Sequence, residues 1–448
     1  MARRTLIKNI QIVNEGTITC GDVLIEDTYI LSIGQQISAD LATVIDGTGK
    51  YLIPGIIDGQ VHFREPGLTH KADFTSESRA AVAGGITSFI DMPNTVPNVL
   101  NLTTLEEKNK LASAKSIANY GFFLGVNGDN LEEILKLDTS SLLAVSDDGL
   151  YFTKKGNLLA DNPAILERLL ANCKSIVAIH SEKEQLVEAN ESIYREKYGE
   201  DVPVEFHPLI RSEKACYEAT KNAIAIANKY NARLHILHLT TEAETHLFRN
   251  DIPLEEKNIT TEVSVHHLWF SDKDYARLGT LIKWNPAIKT EKDKIGLLQA
   301  LVNDRIDIVT TDHAPHTLAE KQQSYFKAMS GAPIIQFSLN IMLEFYRRGL
   351  ITLEKIIQKM SHNPAILYGI QNRGFIREGY YADLVIVDLN AAWTVTNECV
   401  LSKCAWTPLL GTRFHAKVTH TFVNGHLVYN NGLIDESIKG LPLTKRSK

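Results

Sequence analysis

Histidine and aspartate recur in this chain at one kind of position, directly after a short apolar run. IIDGQV (56–61) leads into His62-Phe63-Arg64, LLAVS (142–146) into Asp147-Asp148, IVAI (176–179) into His180, LHIL (234–237) into His238, and IDIVT (306–310) ends just before Asp312-His313. One histidine after a strand is most often a hydrogen-bonded structural residue. Three of them with two aspartate sites, all at corresponding positions, point instead to a metal centre. Imidazole nitrogen and carboxylate oxygen together suit zinc and similar divalent ions, and a site with an open position lowers the pKa of its water to about 7. The set is large enough for two metals with one carboxylate shared between them. The chemistry expected is hydrolysis, or its reverse, by an activated water.

Such residues meet only if strands carry them to one place. From Pro54 onward, short apolar runs alternate with longer helical patterns: 56–61, 86–91, 120–125, 142–146, 176–179, 234–237, 260–265 and 306–310. Eight βα units in succession predict a (β/α)8 TIM barrel, whose active site collects at the C-terminal ends of its strands. A doubly wound open sheet is the alternative, because alternation does not reveal closure. TLIKNIQIV (5–13), DVLIE (22–26) and YILSI (29–33) at one end, and 374–389 and 416–429 at the other, read as strands joined by hairpins. We expect a barrel over residues 54–373 and one small β-sandwich domain composed of 1–53 and 374–448. Lys445 to Lys448 read as a frayed basic tail.

Composition removes several function classes. The chain has 448 residues, 44% of them hydrophobic and 22% charged, which is ordinary for a globular protein with a sizeable core. A net charge of −6 without a basic stripe argues against nucleic acid as a partner. No apolar run approaches the roughly 20 residues of a membrane span, and Met-Ala-Arg-Arg leads straight into an alternating strand pattern, so a cytoplasmic setting is expected. Cys20, Cys173, Cys216, Cys399 and Cys404 form no CxxC pair and are expected to be reduced and mostly buried. A homodimer is the default assembly.

Four segments add a family resemblance. VHFREPG (61–67), DMPNT (91–95), KWNPAIK (283–289) and DHAPH (312–316), in that order across the barrel, resemble the signature segments of dihydroorotases in the amidohydrolase superfamily. YLIPGIID (51–58) and REGYYADLVIVD (377–388) are similar to superfamily features that flank the barrel. The resemblance implies one or two zinc ions per subunit, held by His62, Asp148, His180, His238 and Asp312, with Asp312 also the catalytic proton shuttle. It implies that Arg64 and Asn94 hold a substrate carboxylate and that Asn285 and His316 complete the pocket. The implied reaction is the reversible cyclisation of N-carbamoyl-L-aspartate to L-dihydroorotate in pyrimidine biosynthesis, with small molecules as partners. The residue types agree, since a guanidinium fork grips a carboxylate through two parallel hydrogen bonds. His266 and His267, after the seventh strand, are expected to support the site structurally.

Two departures matter. The family's first strand offers a His-x-His pair, whereas here the first member is Gln60, a weaker ligand, so one metal would be held loosely or not at all. Many family members bridge their metals with a carboxylated lysine; that position falls on Asp148 here, with Asp147 as the fallback, while Lys154 and Lys155 read as a mobile loop. Gln60 also motivates a rival reading, a non-catalytic dihydroorotase-like partner subunit. A hydantoinase or allantoinase would keep the chemistry and change the ring.

Overall fold

The computed structural model describes residues 2–150 and 158–446, so the loop expected at Lys154 and Lys155 lies outside the described residues. The chain opens with β1 (Arg4–Asn14), β2 (Thr17–Glu26), β3 (Tyr29–Gly34), β4 (Thr43–Asp46) and β5 (Tyr51–Pro54). Glu15 and Gly16, both at positive φ, make the two-residue turn between β1 and β2, the geometry that suits right-twisted hairpins.

The barrel follows: β6 (Ile56–Val61), β7 (Ile86–Asp91), β8 (Asn119–Phe122), β9 (Leu124–Gly125), β10 (Ala144–Ser146), β11 (Ile176–Ile179), β12 (Leu234–Ile236), β13 (Ile259–Ser264) and β14 (Ile308–Thr310). All neighbours in it are parallel. The run expected over 120–125 divides at Phe123, because β8 pairs with β7 and β9 with β10; one stave changes neighbours along its length. Val61 pairs with His313 and His62 N donates to His313 O at 2.8 Å, which joins the first strand to the last and closes the barrel. The open sheet is thereby excluded. Alternate residues divide between two cores, as a period of two requires. Ile57, Ile90, Phe123, Ala144, Ala178 and Ile308 share one cluster, while Val61, Phe89, Val145, Val177, Val263 and Val309 pack in another with residues of the surrounding helices.

After the barrel come β15 (Leu384–Asp388), β16 (Trp393–Thr394), β17 (Arg413–Phe414), β18 (Lys417–Val423), β19 (His426–Asn430) and β20 (Leu433–Ile434). β15 pairs antiparallel with β5, so both ends of the chain form one nine-stranded sheet, β20-β19-β18-β15-β5-β1-β2-β3, with β4 beside β1. Ile7, Ile10, Val23, Ile30, Leu384, Ile386 and Phe422 bury one another, so the sheet folds over its own core as a small sandwich. Within 374–389 only β15 is a strand, since Gly374 and Gly379 at positive φ turn the preceding segment. The β16–β17 ribbon leaves this sheet and packs on the barrel, Phe414 against Trp269 at 6.0 Å and Trp393 against Phe337 at 6.2 Å.

The tail corrects one expectation. Leu443 N donates to Tyr120 O, Arg446 N to Gly369 O and Lys445 Nζ to Leu142 O, at 2.7, 2.8 and 2.8 Å. Lys445 and Arg446 are therefore tied down, because backbone groups beside the barrel strands need partners and the tail supplies them. The thiols correct another: all five are free, but only Cys216 is buried, Cys20 is exposed and the other three are intermediate. Among the described residues no helix is long and apolar enough to cross a membrane.

Candidate metal centre and substrate cleft

Asp148 stands where the strand ends converge. Its carboxylate lies 3.3 Å from His62 Nε2, 3.6 Å from His180 Nδ1 and 3.8 Å from His238 Nε2. His62 Nε2 is also 3.1 Å from Asp312, and His180 Nδ1 is 3.0 Å from His238 Nε2. Two triads result, His62–Asp148–Asp312 and Asp148–His180–His238, each with ligand atoms within 4.8 Å of one another. All five residues are buried, and Asp148 belongs to both triads. The five positions expected from sequence thus come together, and the shared carboxylate is that of Asp148.

Several residues set these side chains in place. Asp147 faces away from the triads: one oxygen accepts from His180 N at 3.0 Å and the other from Leu159 N at 2.7 Å, which ties the tips of two strands. His180 Nε2 meets Glu182 at 2.7 Å, and Glu182 also pairs with Arg211. A carboxylate behind an imidazole fixes its tautomer and raises its basicity, so Nδ1 is left for the centre. His62 Nδ1 is matched to Asn94 Oδ1 at 2.8 Å, which directs Nε2 inward. Gly149, at φ +71°, permits that contact, since a Cβ there would lie 2.0 Å from Asn94 Nδ2. Arg64, His238 and Asp312 also take positive φ, at 67°, 35° and 45°, a strained conformation for side-chain-bearing residues and one that clusters at functional sites. Glu182, Arg211 and the Gly149 contact were not found from sequence; only the short His180-Ser181-Glu182 spacing hints at the first.

The electrostatics are those of a cation site. Burial opposes charge on the imidazoles, yet Asp148 and Asp312 push His62 up to about 9, and Asp148 and Glu182 do the same for His180. Against its own burial, hydrogen bonds from His180, His238 and His62 hold Asp148 well below the usual carboxylate range. Burial raises Asp312. Gln60 Nε2 donates to Asp148 at 3.1 Å, whereas its buried Oε1 has no partner among the described residues. Three nitrogens, two carboxylates and an orphaned amide oxygen form a donor set that fits one or two divalent ions.

Beside the triads lies a narrow cleft lined by His62, Arg64, Asn94, Asp148, Asn285 and Asp312 among others. Trp284, Ala314, Ser330 and Gly331 complete its walls. Arg64 is only 6% exposed, and among the described residues no carboxylate pairs with it; its Nε donates to Pro315 O at 3.1 Å. Asn285 accepts from Ser330 Oγ at 3.0 Å. His316 stands behind this wall with its Nε2 3.1 Å from Arg64 Nη2. His266 stacks on Trp284 at 4.1 Å and His267 Nε2 meets Pro286 O at 3.2 Å, a supporting layer behind the cleft.

The amidohydrolase family profile matches residues 51–428, from the last strand before the barrel through to the returning sheet. The chain belongs to the amidohydrolase family. Among its curated relatives in this family are the dihydroorotase of Methanosarcina acetivorans, 32% identical over 418 residues covering 90% of this chain and 88% of the relative, and that of Carboxydothermus hydrogenoformans, 33% identical over 433 residues covering 95% and 97%. Among solved amidohydrolase-like structures, the L-hydantoinase of Arthrobacter aurescens superposes with a TM-score of 0.90 at 26% identity, over 99% of this chain and 100% of that one. A dihydropyrimidinase from Brevibacillus agri, at 24% identity and a TM-score of 0.86 over 96% of each chain, shares the fold. Amidohydrolases are metal-dependent, in keeping with the two triads.

Proposed function

We propose that this chain is a dihydroorotase, interconverting N-carbamoyl-L-aspartate with L-dihydroorotate and water. The observation that carries this reading is Arg64, a buried guanidinium with no carboxylate partner among the described residues that opens into the same cleft as the His/Asp triads. A buried unpaired cation is costly, and a carboxylate-bearing substrate supplies its counter-charge through two parallel hydrogen bonds. Dihydroorotate has that carboxylate and a plain hydantoin ring lacks it. The curated dihydroorotase relatives, similar over most of the chain, support the same choice.

One or two zinc ions, held by His62, Asp148 and Asp312 and by Asp148, His180 and His238, would polarise the ring amide carbonyl and lower the pKa of the attacking water. Asp148 serves both sides. Arg64 grips the carboxylate with Asn94 and Asn285 beside it, and His316 completes the pocket from behind the wall. Asp312 takes the proton of the attacking water at a carboxylate oxygen and delivers it to the leaving ring nitrogen; in the biosynthetic direction the same oxygen removes it. Trp284 and the Ser330–Gly331 wall limit water around the ring. Residues 54–373 are then the catalytic unit and 1–53 with 374–448 the composite β unit. The setting expected is cytoplasmic, where the five unpaired cysteines stay reduced, and the assembly a homodimer.

The near-complete superposition on an L-hydantoinase favours a second reading, a hydrolase of uncharged rings. Protein purified without chelator, assayed for metal and turned over on N-carbamoyl-L-aspartate, L-dihydroorotate, hydantoin and allantoin, separates them. We expect one to two zinc ions per subunit and turnover of the carboxylate-bearing pair. A preference for uncharged rings would make it a hydantoinase-type enzyme, and a metal-free, inactive chain would make it a partner subunit.

A further inference from the structure

Asp312 stands at a φ of 45°, a backbone conformation that persists only where its surroundings over-determine it. Two buried carboxylates supply that constraint, one on each side. Before Asp312, Asp58 Oδ1 accepts from Thr311 N at 3.1 Å and Asp58 Oδ2 from Thr311 Oγ1 at 2.6 Å, while Thr311 Oγ1 accepts from His313 N at 3.1 Å. After it, the ring of His313 is gripped at both nitrogens. Nδ1 lies 3.0 Å from Ile334 N and 3.2 Å from Ile335 N, and Nε2 lies 2.8 Å from Glu77 Oε2. A backbone amide can only donate, so Nδ1 accepts from both and the ring proton sits on Nε2, from which it is donated to the carboxylate. Glu77, in the helix Phe74–Ala83, is fully buried and also reaches chain outside the barrel: Oε2 accepts from Ser402 Oγ at 2.6 Å and Oε1 from Lys403 N at 2.9 Å. One carboxylate thus joins a barrel helix, the end of the last barrel strand and the returning chain.

We infer that Glu77 is a positioning residue for Asp312: by holding the His313 ring from one side, with Ser402 and Lys403 bracing it from beyond the barrel, it keeps Asp312 in the strained conformation that aims its carboxylate at the reacting atoms. Asp312 lines the cleft, so the effect of Glu77 reaches the substrate through it. The segments that carry Arg64 and Asn94 are fixed by other bonds, Phe63 N to Asp91 Oδ1 at 2.8 Å and Met92 N to Val61 O at 2.9 Å. Loss of Glu77 therefore acts on proton transfer before it acts on the grip of the carboxylate. The inference rests on the proton-carrying role proposed above for Asp312, but its structural readout does not.

Crystal structures and steady-state kinetics of Glu77→Met and Glu77→Gln, with zinc at saturation, test it. In Glu77→Met the His313 Nε2–H loses its acceptor, and we expect residue 312 to leave the positive-φ region and its carboxylate to move away from His62 Nε2. The kcat on L-dihydroorotate should fall about 10- to 100-fold, the cost of misplacing a reacting group by about 1 Å, with KM changed less than about threefold. Glu77→Gln keeps an amide oxygen for His313 and Ser402, so it should retain the positive φ and a kcat within about threefold of wild type. A folded Glu77→Met that keeps either the conformation of Asp312 or the kcat would overturn the inference, and so would a Glu77→Gln as impaired as Glu77→Met. Should Glu77→Met not fold, a neutron structure of the wild type decides: deuterium on His313 Nε2 supports the grip, and deuterium on Nδ1 overturns it. A protein that turns over no dihydroorotate, yet whose residue 312 changes φ in Glu77→Met, would overturn the function proposed above and leave the hold of Glu77 on Asp312 standing.

Discussion

Gln60 Nε2 stands 3.1 Å from Oδ2 of Asp148, so the residue that replaces an expected imidazole grips the carboxylate common to both triads. It acts on the centre through its neighbour, and its Oε1 is left without a partner among the described residues. Gln60→His would add an imidazole at this position, and we expect a higher metal-to-protein ratio after mild chelation. Gln60→Ala should release Asp148 and lower that ratio. If Gln60→His leaves retention unchanged while Gln60→Ala abolishes activity, Gln60 orients substrate or water instead.

Arg64→Lys tests the carboxylate grip. Lysine keeps the charge but is a point donor, and it cannot reach Pro315 O while presenting a planar fork to the cleft. KM for L-dihydroorotate should rise about tenfold or more, with kcat much less affected. An unchanged KM would place the carboxylate elsewhere.

Glu182→Gln tests the support behind His180. The 2.7 Å contact to Nε2 leaves Nδ1 for the centre, and Gln supplies a weaker, uncharged partner. Zinc affinity should fall by about 10- to 100-fold, read by competition with a chromophoric chelator. The partner change also strands Arg211, which pairs with Glu182, so circular dichroism must show an intact fold for the result to count.

The parts of this site visible in the sequence are those fixed by strand ends. A residue after a strand of a parallel barrel has one place to go, so His62, the pair Asp147-Asp148, His180, His238 and Asp312 were legible as strand-end residues, and the family resemblance implied which of them hold metal. Which aspartate faces inward was not: Asp147 and Asp148 are adjacent, and only the strand-end geometry sends Asp147 to the amides of Leu159 and His180. Glu182 and Arg211 sit on loops whose paths depend on tertiary packing, and no local period announces them. The tail misled for the same reason. Its basic residues suggest fraying, but Leu443 and Arg446 find backbone partners far away in sequence.

Removing residues 437–448 therefore tests that strap. Gly440, Leu443 and Arg446 donate to Ser116, Tyr120 and Gly369, and the loss of these bonds exposes backbone groups on the barrel. Melting should begin several degrees earlier, since ~1 kcal/mol shifts a domain of this size by about 2 °C and each bond contributes on the order of 1 kcal/mol. An unchanged melting temperature would show that the tail covers the barrel without stabilising it.

Lys283 carries the pH dependence with the clearest sign. Its Nζ donates to Tyr325 O and Ala328 O, both at 2.7 Å, beneath the loop that holds Ser330 and Gly331. Burial, and then the charge of Arg211, bring it down to about 7, against about 10.4 for an unfolded lysine. Between those two values the unfolded chain binds the extra proton, so stability rises with pH across that window, by at most about 1.4 kcal/mol per pH unit. The neutral amine still has two N–H groups for its two carbonyls, so the bonds survive the loss of charge. Lys283→Met removes both the titration and the donors; it should melt below wild type at every pH, and the gap should widen from pH 7 to 9. Lys321, whose Nζ donates to Lys283 O at 3.0 Å and is also lowered by burial, titrates in both proteins, so only the difference between them is diagnostic. A gap that stays constant from pH 7 to 9 would mean that Lys283 keeps its proton throughout and that its burial is compensated by a charge other than those named here.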